Sequence, residues 1–380
     1  TLTSLQLVKN EAFQRVLIMT HRPVVADSWF DDFKKMKMSA DGYDYGSVNQ
    51  GETLENLKRG EKPFVYFASI QLLRYNGGQT NLKDFADVDW DLIIIDEAHE
   101  GTQTELSDTV MKELVKEHTK ILELSGTPFN LLDQFDEEQV YTWDYVMEQQ
   151  AKKKWELERP SEPNPYETLP KVSMYTFEMK HKERFSDESR SFNFREFFRV
   201  AEDGQLVYKQ EVRQFLDNIT HPDSRTNYPF STKSYREELR HTLWLMPGVK
   251  EANAFEDLLK EHPIFGKEYK IVNVVRGASS DDGIANDADI EKVRSAIGKD
   301  PSQTKTITLT VRKLTTGVNI PEWTAVLFLS NTNSAMNYLQ AAFRAQTPFS
   351  HEKLGMKTNC YVFDFAPDRA LTVMAESAQI

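Results

Sequence analysis

Cysteine is almost missing from this chain of 380 residues. The single thiol, Cys360, can form no disulfide framework, and such scarcity fits a reducing interior. Long apolar runs are missing too. None approaches the roughly 20 residues a membrane span needs, so no membrane partner is expected. Asn218-Ile219-Thr220 matches a glycosylation acceptor, but no secretory signal accompanies it and the match reads as chance. The Pro-Asp…(Asp/Glu)-x-Lys pattern of a common nuclease core is absent, since Pro367-Asp368 has no suitable partner. Positive charge is in deficit, with a net charge of -13. That balance argues only weakly against nucleic-acid binding, because charge acts locally and an acidic protein can still line one channel with Lys and Arg.

What is present is enough to build cores. The chain is 39% hydrophobic and 11% aromatic, too rich for disorder, and its length calls for two or three domains. Four short apolar runs, Arg15–Thr20, Phe64–Ala68, Trp90–Ile95 and Lys120–Leu124, have the length of buried strands. Between them lie stretches with helical spacing, such as Val25, Trp29, Phe33 and Met36. Strands alternating with helices predict a parallel sheet covered on both faces. The rhythm lapses over residues 136–235, where charge, aromatics and prolines mix, and it resumes with Thr242–Met246, Lys270–Val275, Thr306–Val311, Ala325–Leu329 and Cys360–Asp364. The expected fold is therefore α/β, with two parallel-sheet domains at 1–135 and 236–380 and a mainly helical insert or connector at 136–235. Inside that insert, Phe192, Phe194, Phe197 and Phe198 read as a helix packing its rings into a core, with DNA contact by the adjacent Arg195 and Arg199 as the rival reading.

One strand end stands out. Leu92-Ile93-Ile94-Ile95 stops at Asp96 and Glu97, followed by Ala98 and His99. Ligands of open parallel sheets collect beyond the carboxyl ends of the strands. An aspartate there can hold Mg²⁺, a small hard cation that wants oxygen ligands. The next acid can orient and deprotonate the water that attacks a γ-phosphate.

Asp96-Glu97-Ala98-His99 resembles the second Walker motif of superfamily 2 helicases and translocases, whose two RecA-like domains bind ATP between them. Ser125-Gly126-Thr127-Pro128, at the end of the next strand, stands where the third motif of that family belongs. Leu314-Thr315-Thr316-Gly317-Val318-Asn319-Ile320-Pro321 resembles the fifth motif, and Gln340-Ala341-Ala342-Phe343-Arg344-Ala345-Gln346 the sixth. The last departs from Gln-x-x-Gly-Arg-x-x-Arg at two places: Phe343 stands for the glycine, and Thr347 for the second arginine. These forms look closest to the motor subunits of type I and type III restriction enzymes, over residues 1–135 and 240–370.

The resemblance implies roles. Asp96 would hold Mg²⁺ and Glu97 would activate water. Gly317 and Gln340 would complete the ATP site, and Arg344 would stabilise transition-state charge. His99, Ser125 and Thr127 would couple hydrolysis to DNA contact. Thr20, His21 and Arg22 occupy the place of motif Ia and Ser69 and Gln71 that of the next strand-tracking segment; with Thr315 and Thr316 they would grip phosphates without reading sequence. Trp244 to Gly248 would be motif IV. No Gly-x-x-x-x-Gly-Lys-Thr loop occurs in the chain, yet Thr1-Leu2-Thr3-Ser4-Leu5 is what should follow its Gly-Lys. Thr1 is therefore expected to be the last residue of that motif, a Mg²⁺- and nucleotide-binding hydroxyl, in a fragment that would itself hydrolyse ATP poorly. The implied function is an ATP-dependent translocase on double-stranded DNA, with nuclease, methyltransferase or specificity modules carried elsewhere. An RNA helicase of the same signature, or a non-catalytic scaffold with a degenerate helicase fold, remain the alternatives.

Overall fold

The computed structural model describes residues 1–380 apart from 22–24, 75–81, 99–104, 129–130, 187–190, 282–284, 316–317, 333 and 369–380. The chain forms two compact units, Thr1–Val140 and Tyr141–Ile380.

The first unit holds β1 (Arg15–Thr20), β2 (Asp44–Gly46), β3 (Phe64–Ser69), β4 (Leu92–Asp96) and β5 (Lys120–Leu124), in the order β2-β3-β1-β4-β5. Every pairing in this sheet is parallel. Alternate residues point to opposite faces of a strand, so the apolar runs of β1, β3 and β4 fill two cores, whereas the edge strand β5 is partly exposed, with Ile121 at the surface. Val16, Ile18, Leu92 and Ile94 pack with Leu5 and Val8 of the helix Leu2–Asn10 and with Trp29 and Phe33 of the helix Ala26–Lys35. Leu17, Met19, Ile93 and Ile95 pack on the other face with Leu73, Phe85, Trp90 and Leu114.

The second unit holds β6 (Lys171–Thr176), β7 (His241–Leu245), β8 (Lys270–Asn273), β9 (Thr306–Thr310), β10 (Ala325–Phe328) and β13 (Asn359–Asp364), in the order β6-β13-β10-β7-β9-β8. All pairings are again parallel. A small antiparallel hairpin, β11 (Ser350–His351) with β12 (Gly355–Met356), precedes the last long strand.

Of residues 136–235, expected as a connector, those from Tyr141 on share this unit. They contribute the helix Tyr145–Glu158, the edge strand β6 and the helix Lys209–Thr220. Phe192, Phe194, Phe197 and Phe198 are all buried in the same hydrophobic cluster as Trp244, Phe255 and Leu309 of the main sheet layer. The aromatic stripe is thus core, as its spacing predicts. Phe198 meets Phe255 edge-on with ring centroids 5.0 Å apart, a favourable aromatic geometry. The sheets and their covering helices give two RecA-like α/β domains, in agreement with the fold class expected from the sequence.

Candidate functional site

In the first unit, register alone gathers the polar strand ends. Thr20 of β1 is level with Ser69 of β3 on one side and with Asp96 of β4 on the other, and Asp96 is level with Leu124 of β5. A strand buried on both faces stays apolar until it leaves the layer, so its first polar residues mark the carboxyl edge. Thr20 is itself fully buried. Ser69 accepts the amide of Leu72 on its hydroxyl (3.2 Å), starting the helix Ile70–Arg74. From that helix Gln71 Nε2 donates to the carbonyl of His21 (3.0 Å), tying the segment after β3 to the segment after β1.

Asp96 continues the face of Ile94 and meets the helix Ala26–Lys35. There the indole Nε1 of Trp29, fully buried, donates to Asp96 Oδ2 at 2.8 Å. One turn on, Asp32 accepts the hydroxyl of Thr1, the N-cap residue of the helix Leu2–Asn10. Thr1 and Asp96, the two residues assigned to Mg²⁺, are therefore both tied to one face of one helix, through side chains three positions apart. Spacing showed Trp29 only as an apolar position; its donor role was not legible.

Glu97 adopts a left-handed backbone conformation, φ 54°. A residue with a Cβ pays for that conformation, and such positions persist where surrounding structure imposes them. The turn after β5 is built by Ser125, whose hydroxyl accepts the amide of Thr127 at 3.1 Å; Thr127 is buried. Just upstream on β5, burial pushes the Glu123 carboxyl above the usual range, and its Oε2 is buried without a partner.

In the second unit the helix Ala335–Ala342 carries the buried Gln340 and runs into a 3₁₀ turn, Phe343–Gln346. Arg344 sits on that turn. Its Nε donates to the Gln340 carbonyl (3.0 Å) and its Nη1 to the Val318 carbonyl (3.1 Å). Arg344 and the segment resembling motif V thus meet directly. Upstream in that segment, Leu314 is left-handed at φ 65° and Thr315 donates its hydroxyl to the Arg312 carbonyl at 2.7 Å. Arg22, His99, Thr316 and Gly317 lie outside the described residues.

The donor set at the first strand edge suits Mg²⁺. This ion is commonly held by one or two carboxylates together with substrate phosphates and retained waters, not by an all-protein cage. Asp96 supplies one half-buried carboxylate fixed by Trp29. Among the described residues no group of three or more His, Cys, Asp or Glu forms a cage.

Two parallel-sheet units of this kind make a helicase-like fold of the RecA type. That fold is related to the motor subunits of restriction enzymes: residues 1–130 match the family model of the type III restriction enzyme res subunit. Over 95% of its length the chain is 26% identical to a Mycoplasma pneumoniae protein described as the C-terminus of a type II restriction enzyme and methyltransferase, covering 59% of that protein. The ATP-dependent type ISP restriction-modification enzyme LlaBIII, solved bound to DNA, matches 95% of this chain at a TM-score of 0.53 and 12% identity, with 25% of its own length covered. A fragment of an HsdR subunit of a type I restriction enzyme from Vibrio vulnificus is similar over 95% of this chain at a TM-score of 0.49 and 16% identity, with 54% of that chain covered. The chain thus spans only part of the length of each of these proteins. No helix of the described residues is long and apolar enough to cross a membrane.

Proposed function

We propose that the chain is the motor core of a restriction-type enzyme, hydrolysing ATP with Mg²⁺ to move along double-stranded DNA. The observation that carries this reading is the level strand edge Ser69–Thr20–Asp96, with Asp96 fixed by Trp29 and Glu97 held left-handed immediately after it. Mg²⁺ bound with ATP would neutralise phosphate charge next to Asp96. Asp96, its carboxylate fixed by the Trp29 bond, would be the residue to hold that ion. Glu97 accepts a proton from the attacking water. Within the second unit the guanidinium of Arg344 is oriented by the carbonyls of Gln340 and Val318, and it would be the group to meet phosphate charge. His21, Ser69 and Gln71, unlike the fully buried Thr20, offer backbone amides and small polar groups to a phosphate strand, the kind of contact that ignores base sequence. The similarity to restriction-enzyme motors supports duplex DNA as the track, with nuclease or methyltransferase modules as the proposed partners.

The test is ATP turnover by the full-length protein with no nucleic acid, with duplex DNA and with RNA. DNA-stimulated turnover is expected, and Glu97→Gln should lower kcat by about 10²–10⁴-fold while ATP still binds, the usual worth of a positioned general base. Stimulation by RNA alone would replace the DNA motor with an RNA helicase. ATP binding without turnover under every condition would leave a scaffold.

A further inference from the structure

A buried lysine outside every motif holds the turn that carries Arg344. Lys357 follows the hairpin β11–β12, and only 7% of its surface is exposed. Its Nζ donates to three backbone carbonyls: Pro321 at 2.7 Å, Trp323 at 2.9 Å and Ala345 at 2.9 Å. An ammonium has three donors, so the three acceptors satisfy it in full. No carboxylate pairs with Lys357 among the described residues, which is unusual for a buried charge. Burial lowers its pKa to about 8, against the weak opposing pull of Cys360 and Glu322. An apolar side chain of similar length would avoid that penalty but would leave these three carbonyls without their shared donor.

What it binds is specific. Pro321 and Trp323 close the segment that resembles motif V, and Ala345 is the residue after Arg344. Arg344 in turn donates to Val318 at the head of the same segment. The segment 318–323 and the turn 343–346 are therefore joined by two cations, one belonging to the turn and one reaching in from the hairpin.

We infer that Lys357 is a positioning residue for Arg344, fixing the arginine-bearing turn against the segment 318–323 so that the guanidinium is aimed before the nucleotide arrives. This rests on the functional reading above, and it adds a residue that touches neither nucleotide nor DNA.

The experiment is Lys357→Met in the full-length protein, alone and combined with Arg344→Ala. The variant should lower kcat for DNA-stimulated ATP hydrolysis at least ten-fold and leave KM for ATP within two-fold. In the Arg344→Ala background the same substitution should cost less than two-fold further, because its target is already gone. A structural role alone would lower both backgrounds equally, and that result, or an unchanged kcat, overturns the inference. Thr306→Val, which removes a buried polar contact to His241 elsewhere in the same unit, should leave kcat unchanged and controls for general destabilisation. If Lys357→Met does not fold, Lys357→Arg serves, since a planar fork cannot serve three converging carbonyls. If the wild-type protein shows no turnover, the functional reading falls and the inference is decided by amide exchange: Ala345 and Gln346 must exchange at least ten-fold faster in the variant, and equal protection overturns it.

Discussion

The two units place their polar residues by different means. In the first, the polar residues sit on the strands themselves. Once the apolar runs pair in register, Thr20, Ser69 and Asp96 are level, with only Trp29 added to fix a carboxylate. In the second, Arg344 and the segment 318–323 lie off the strands, and side-chain cations reaching backbone carbonyls bring them together. The cores differ in the same way. The first sheet separates two layers, whereas the second gathers its sheet and residues 179–230 into one cluster. A register-made edge should survive the loss of single side chains. A tethered turn should not.

The largest test of this contrast lies in the aromatic core. Phe198 is fully buried and touches Phe197 and Phe255, both at 5.0 Å between centroids. Phe198→Ala should cost about 3–5 kcal/mol, as large-to-small core changes do. Because residues 141–235 share the core of β7–β10, the whole second unit should become less stable in urea while the first unit's transition stays in place. Loosening confined to residues 180–220 would instead make that segment an independent subdomain.

Acid should separate the units next. His241 is buried, with Nδ1 2.9 Å from Thr306 Oγ1 and Nε2 3.0 Å from the Pro301 carbonyl. Burial holds its pKa at about 4, below the ordinary 6.5, and the neighbouring charges of Arg240 and Lys270 act in the same sense against the Pro301 bond. The unfolded chain therefore binds this proton at a higher pH than the folded one. The stability concerned is fully present above 6.5 and is lost as pH falls toward 4, on the order of 3 kcal/mol if the shift is realised in full. Thermal unfolding of the second unit should show this acid limb, and His241→Asn should flatten it. An acid limb equally steep in the variant would assign the effect to other groups.

These differences also explain what was legible in the sequence. Apolar runs bounded by turn formers marked β1, β3, β4 and β5 almost to the residue, and Arg15–Thr20 coincides with β1. Their length and the turn formers on either side separate such runs from buried helix. β2 escaped because three residues carry no pattern, and β6 because a half-exposed edge strand, Lys-Val-Ser-Met-Tyr-Thr, needs no apolar run. The strand-end acids were visible because they interrupt a run. Lys357 was not, since a lysine that will reach three carbonyls looks in sequence like any surface lysine. Phe343 read as a departure from the family pattern; in the fold its ring lies 6.1 Å from that of Tyr145, while Gln346 donates to Glu148 at 3.2 Å, so the helix Tyr145–Glu158 packs on the arginine turn. Contacts between residues some 200 positions apart leave no local trace.

The smallest effect is the most discriminating. Trp29→Phe keeps a buried ring and removes the indole donor to Asp96. A hydrogen bond to a charged group is worth about 1.5–3 kcal/mol, and Asp96 is half-exposed, so water recovers part of it and a net loss of about 1 kcal/mol is expected in the first unit's urea midpoint. Pairing with Thr20 and Leu124 still fixes the backbone of Asp96, so ATP turnover should fall only a few-fold, well short of the ten-fold loss set for Lys357→Met. If Trp29→Phe slows turnover as much as Lys357→Met does, register does not suffice to place Asp96, and the first site is as dependent on a single tether as the second.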